Sequence, residues 1–155
     1  MPLQPGLTAE IEQVVVPELT ADALGNHGVR VFATPFVINL MELTCNAVMK
    51  PHLPAGAISV GTMVEMKHLA ATPLGMKVRA KAALLETDGK RCLFQVDVFD
   101  EVEKIAEGRH ERFVVPNLEG SWRRPGLHAG ALTSHDRVVV PPAAIRLAHE
   151  RGSSP

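Results

Sequence analysis

An imidazole, a carboxylate and a hydroxyl stand out in this sequence as groups that can move protons or attack carbon. His68 is the strongest candidate base, because an ordinary imidazole pKa of ~6.5 lies close to neutral pH. It is in phase with Val64 and Met66, on the apolar side of a strand expected to face a helix. On pattern alone, a core histidine satisfied by one hydrogen bond is the commoner outcome. Glu42 could orient an imidazole, stabilise its protonated form or activate water. It recurs with Asn39 and Asn46 at i, i+3 and i+7 along an otherwise apolar run, and periodicity by itself turns that stripe to solvent. Thr34 stands before Pro35 at the start of the same run, where threonine commonly caps a helix. A helix N-terminus also favours developing negative charge, so capping and chemistry are compatible there.

Two further residues each admit a structural and a functional reading. Gly61 interrupts a long strand, either as a β-bulge or as a place where backbone N–H can approach a reacting group. Arg112, on the last strand, could bind substrate or neutralise charge, or could make an ordinary surface ion pair. Lys67, Lys77, Arg79 and Lys81 suit a solvated strand face better than a phosphate site. His52, His110 and the C-terminal histidines have no metal-ligand spacing, and Glu111 beside His110 does not make a zinc site. No metal and no cofactor are expected.

The elements that must position these groups follow from periodicity and punctuation. Thr34 as N-cap, Pro35 in the first turn, an apolar run over 36–49 and Pro51 as terminator predict one long helix. Its nearly all-apolar circumference predicts that protein surrounds it. Strands are expected over 8–16, 57–72, 76–86, 91–99 and 104–115, with Asp88-Gly89 as a tight hairpin turn. Residues 18–30, with Gly25, Asn26 and Gly28, read as a loop or a mobile short segment. One long helix among antiparallel strands is an α+β domain. Its sheet leaves edges that dimerisation can cover. The expected domain is 1–116. Residues 117–155, rich in Gly, Pro, Arg and His, read as an extension outside the core.

Bulk properties exclude several function classes. A net charge of −1 without a basic run argues against a nucleic-acid or anionic-membrane binder. Five Phe, one Trp and no Tyr are too few for a base-stacking platform. Cys45 and Cys92 read as buried small hydrophobes. The N-terminus lacks a signal-peptide pattern, and no apolar stretch suits a membrane span, so the expected location is the cytoplasm.

Four stretches, VFATPFVINLMEL, VGTMVEMKHLAATPLGM, ETDGKR and GRHERFVV, resemble the fluoroacetyl-CoA thioesterase-like family of hotdog proteins. They span roughly residues 31–115. The resemblance implies a hotdog fold: a long central helix wrapped by a curved antiparallel β-sheet, forming a homodimer. It implies an acyl-CoA substrate and hydrolysis of its thioester to acid and CoA. It carries the catalytic roles to Thr34, Glu42 and His68, and substrate-binding roles to Gly61 and Arg112. It also exposes a departure. The fluoroacetyl-specific enzyme has phenylalanines upstream of its V-F-A-T motif that form a lid, whereas this chain has GNHGVR there and no Phe in residues 18–30. A short or modest acyl group and a more open pocket are therefore expected. A non-catalytic acyl-CoA-binding or assembly module on the same fold is the alternative. A hotdog hydratase ranks below both, because no matching Asp/His pair lies on the helix.

Overall fold

Alternating apolar residues form strands, and the one long apolar run forms a helix. The computed structural model describes residues 2–117. Its elements are β1 (Thr8–Val14), α1 (Thr34–Met49), β2 (Ala57–His68), β3 (Lys77–Thr87), β4 (Arg91–Phe99) and β5 (Lys104–Pro116). The strands make one antiparallel sheet in the order β1-β3-β4-β5-β2. Among the described residues β1 and β2 are therefore its edges. The extension expected over 117–155 lies, apart from Asn117, outside the described residues.

The helix packs on one face of the sheet because the strands alternate in the right phase. Val78, Ala80, Ala82 and Leu84 of β3 point to the helix, as do Cys92, Phe94, Val96 and Val98 of β4. They meet Val37, Leu40, Met41, Cys45, Val48 and Met49 of α1, all buried. Ala80 and Ala82 keep the middle of β3 thin, so the helix can sit close to it. The sheet covers only part of the helix: Leu43 is 40% exposed and Asn39 is exposed. Among the described residues the sheet stops at β2, so residues 2–117 do not by themselves give the near-complete enclosure expected of the helix.

The helix start also differs from expectation. Ala33 occupies the cap position without a side-chain hydrogen bond, and Thr34 is itself the first helical residue. Pro35 lies in the first turn as expected. The Thr34 hydroxyl is thus not used as a cap.

β1 ends at Val14 and β2 at His68, earlier than the sequence pattern suggests. Beyond His68 the chain turns, and the Leu69 and Ala70 N–H groups both reach the Ile105 carbonyl (2.7 and 3.3 Å). The Asp88-Gly89 turn forms, with Asp88 Oδ1 accepting from the Lys90 and Arg91 N–H groups (2.9 and 2.8 Å) and Gly89 at φ +97°. Residues 18–30 carry two short 3-10 turns, tied by the Gly28 N–H to Asp22 Oδ1 at 2.8 Å.

β2 contains the irregularity that matters most for the site. Its pairing with β5 shifts register between Gly61 and Met63. A regular strand alternates faces with period two, so residues 61 and 68 would lie on opposite sides. The bulge inserts one residue and reverses the parity. Gly61, opposite Arg112, and Val64, opposite His110, then share the helix-facing side with Met66 and His68.

Candidate active site

The structure divides the five sequence-predicted residues into two groups. The first is a pair. Thr34 Oγ1 and His68 Nδ1 are 2.8 Å apart, within hydrogen-bond distance. The helix start holds the threonine, and the last residue of β2 holds the histidine. With the hydroxyl donating, Nδ1 is the free-base nitrogen of the ring and Nε2 carries the proton. Nε2 is buried and has no hydrogen-bond partner among the described residues. Burial holds His68 below its ordinary pKa, partly offset by the Ala70 backbone. The ring is therefore neutral at neutral pH and able to accept a proton. The pair opens onto a cleft of about 420 Å³ walled by Asn26, Val29, Val31, Phe32 and Leu69.

The second group lies toward the other end of β2. Glu42 Oε1 is 3.9 Å from His110 Nε2. It lies so close to Gly61 that a Cβ there would stand 2.6 Å from the carboxylate oxygen and 3.0 Å from His110 Cε1. Gly61 is thus the gap into which the carboxylate fits, as well as the first residue of the bulge. Glu42 is partly buried, so the solvent-facing reading of its stripe holds only in part.

Arg112 is nearly buried, at 8% exposure, so it is not the surface ion pair that its strand position allowed. Its guanidinium donates from Nε to Ser59 Oγ and from Nη2 to the Ser59 carbonyl, both at 2.9 Å, and from Nη1 to His110 Nε2 at 3.2 Å. Ser59 Oγ in turn donates to Asn46 Oδ1 at 2.8 Å. This chain of bonds ties α1, β2 and β5 together. Among the described residues no carboxylate lies within ion-pair distance of Arg112. Glu42 is the acidic group whose field favours its charge, while burial lowers its pKa.

The two groups do not meet within one chain. Thr34 and Glu42 are eight helical residues apart, roughly 12 Å along the axis. Gly61 and His68 are separated by roughly 20 Å of strand.

Sequence reasoning weighed His110 only as a metal ligand and passed over Ser59. His110 is fully buried and makes two hydrogen bonds, to Met63 O at 2.9 Å and to Arg112. Its signal was present in β5, where Ala106, Gly108, His110 and Arg112 alternate on one face. Two polar residues in phase with a buried alanine mark a polar cluster inside the core. Of the cations read as solvated, Arg79 and Lys81 lean toward Glu10 at 3.6 and 4.0 Å. Cys45, beside Arg112 and Glu42, is a free thiol pushed up to about 12 by burial. No cluster of three or more potential metal ligands occurs among the described residues. None of their helices is long and apolar enough to cross a membrane.

With this geometry in view, the family model for fluoroacetyl-CoA-specific thioesterase matches residues 15–118. The chain belongs to this family. The fluoroacetyl-CoA thioesterase of Streptantibioticus cattleyicolor is 42% identical over 85 residues, covering 55% of this chain and 61% of that protein. The chain thus spans less than two-thirds of that relative's length. A solved structure of the fluoroacetyl-CoA thioesterase FlK matches with a TM-score of 0.72 and 33% identity, over 77% of this chain and 93% of FlK. A Thermus thermophilus member of the thioesterase superfamily matches at 0.70 and 34%, over 77% of this chain and 88% of that one. The shared architecture is the hotdog fold. Both groups of site residues, and His110, fall inside the segment matched to the fluoroacetyl-CoA-specific thioesterase family.

Proposed function

We propose that the protein hydrolyses the thioester of a short or modest acyl-CoA, with His68 as general base and Thr34 as its partner. The observation that carries this reading is the 2.8 Å Thr34–His68 contact at the mouth of a cleft, in a chain of this family. In the covalent route, Thr34 Oγ1 bonds to the thioester carbonyl carbon while its proton passes to His68 Nδ1. The C–S bond then breaks, and the CoA thiolate leaves with that proton. Water cleaves the resulting Thr34 ester, assisted by the same base. In the direct route water attacks the thioester, and Thr34 only fixes the ring. Rapid quenching and mass spectrometry separate the two routes: an acyl group found on Thr34 is unique to the first.

The test of the activity is thiol release from a panel of acyl-CoAs. Turnover of at least one is expected, and His68→Ala should lower kcat by ~100-fold or more, the scale of general-base catalysis. No release from any acyl-CoA refutes the reading. An unchanged rate in folded His68→Ala removes that residue from the mechanism. Fluoroacetyl preference is not expected. Residues 18–30 carry no phenylalanine, and among the described residues Gly25 and Gly28 are exposed with nothing within 4 Å of a Cβ position, which supports a more open pocket.

Glu42 and Gly61 join the same reaction in this proposal through a homodimer. Among the described residues β2 is a 12-residue edge strand whose outer side offers backbone groups for pairing, and Val64 and Leu43 are exposed. Antiparallel self-pairing about a twofold axis between residues 64 and 65 would set Gly61 of one copy opposite His68 of the other. Glu42 and the Gly61 N–H would then reach the thioester held by the second copy's Thr34–His68 pair, the carboxylate to orient the water that His68 deprotonates and the N–H to hold the oxyanion. Complementation tests this directly. Glu42→Gln and His68→Ala dimers should each fall ~100-fold or more below wild type, leaving only a residual rate. Statistical mixing makes half the molecules heterodimers with one intact site in two, restoring about a quarter of wild-type activity. No recovery on mixing rules out a site shared between copies.

A further inference from the structure

His110 is a fully buried histidine, with 0% exposure, outside the set that the reaction above uses. Its two hydrogen bonds determine its protonation state. Nδ1 lies 2.9 Å from the Met63 carbonyl oxygen, which can only accept, so Nδ1 carries the proton. Nε2 lies 3.2 Å from Arg112 Nη1, which can only donate, so Nε2 presents its lone pair. Both contacts select the same species, the neutral Nδ1–H tautomer.

Each contact holds something the site needs. Met63 is the residue where the β2–β5 register resumes after the bulge. A ring N–H on its carbonyl fixes the bulge that brings Gly61 and His68 to one face. Thr62, the residue inserted there, is tied on the outer side to Glu111, with its Oγ1 2.7 Å from Glu111 Oε1. Neighbouring residues of β5 thus grip the bulge from both faces of the sheet. At the other nitrogen, accepting from Arg112 keeps Nε2 from donating to Glu42, although Glu42 Oε1 is only 3.9 Å away. No hydrogen bond to the Glu42 carboxylate occurs among the described residues, so none of their donors occupies its lone pairs.

We propose that His110 is a positioning residue of the thioesterase site, whose Nδ1–H tautomer pins the β2 bulge and aims the Arg112 guanidinium while leaving the Glu42 carboxylate unengaged. This rests on the hydrolase reading above and extends it by a residue that does not touch substrate. The charged groups acting on the ring are the Arg112 cation of β5, Glu42 of α1 and, from the outer face of the sheet, Glu111 on the neighbouring position of β5. Burial and the Arg112 charge favour the neutral ring; Met63 O, Glu42 and Glu111 oppose them. A protonated ring would repel Arg112 and turn its new Nε2–H to Glu42, engaging the carboxylate that the reaction requires.

The experiment compares wild type, His110→Asn, His110→Gln and Glu42→Gln on an acyl-CoA that the wild type turns over. Asparagine places an amide N–H near the Nδ1 position and keeps the bond to Met63 O, but it has no acceptor at the Nε2 position. Glutamine reaches that position and can accept from Arg112. The expected result is a kcat at least 10-fold lower in His110→Asn with KM changed less than threefold, and a partial return of kcat in His110→Gln. His110→Asn should cost nothing further when added to Glu42→Gln. Folded His110→Asn with kcat within twofold of wild type overturns the proposal, as does an equal loss in the Glu42→Gln background. If the substituted proteins do not fold, the wild type still decides. Its ¹⁵N–¹H ring correlations near neutral pH should give His110 a protonated Nδ1 and a bare Nε2. A protonated Nε2 overturns the proposal. Absence of all thiol release from the wild type would instead remove the hydrolase reading, and the tautomer measurement would still report on His110.

Discussion

Replacing Gly61 by alanine isolates the placement of one carboxylate. The glycine has no left-handed φ, so its backbone accepts an L side chain without strain. The added Cβ would stand 2.6 Å from Glu42 Oε1 and 3.0 Å from His110 Cε1. The first neighbour is the far end of a flexible side chain that is 39% exposed, so it can swing outward. The fold should therefore lose little, within ~1 kcal/mol, as expected where relaxation is easy. Relieving the clash to an ordinary contact moves the carboxylate by about 1 Å, a misplacement that can cost ~100-fold in rate, or ~2.7 kcal/mol of barrier. The assay is steady-state thiol release, with thermal melting to establish folding. Gly61→Ala should melt within a few degrees of wild type and lose ~100-fold in kcat. Combined with Glu42→Gln it should lose almost nothing more, because both changes remove the same contribution. A folded Gly61→Ala with wild-type kcat, or a fully additive double variant, refutes the argument. Gly108→Ala is the contrasting control. Its Cβ would fall 1.9 Å from the Glu65 backbone oxygen, which cannot swing away, so this variant should lose stability.

Two other outcomes follow from the buried groups. His68 and His110 are both held below the ordinary histidine value. The unfolded chain therefore binds more protons as pH falls through ~6.5, and stability is lost from there down to the folded-state values. The melting temperature should drop between about pH 7.5 and pH 5.5, and His110→Asn should flatten that slope; an equal slope in both proteins removes His110 as a source. Cys45, fully buried and pushed up to about 12, should resist alkylation in the native protein at neutral pH and react on unfolding. Rapid native labelling of Cys45 contradicts its burial.

Much of this protein was legible in one dimension. The largely apolar run from Thr34 to Met49, with its single Asn39–Glu42–Asn46 stripe, read as a packed helix, and alternation over 76–86 and 91–99 gave strands because both periodicities are local properties of the chain. Asp88-Gly89 determined its own turn. His68 announced itself by its phase with Met66, and the resemblance carried by the motif stretches named Thr34, Glu42, Gly61 and Arg112. Only the tertiary structure decided how these residues group. A period-two reading cannot see that one inserted residue at Gly61–Met63 reverses the parity of β2, because a bulge is defined by the partner strand. Nor can it see that Thr34 is released from capping to meet His68, that Arg112 is buried among Ser59 and His110, or that a carboxylate occupies the space of a missing Cβ. Each of these depends on which strands lie side by side and how closely the helix rests on them, and those distances are set by the packed core.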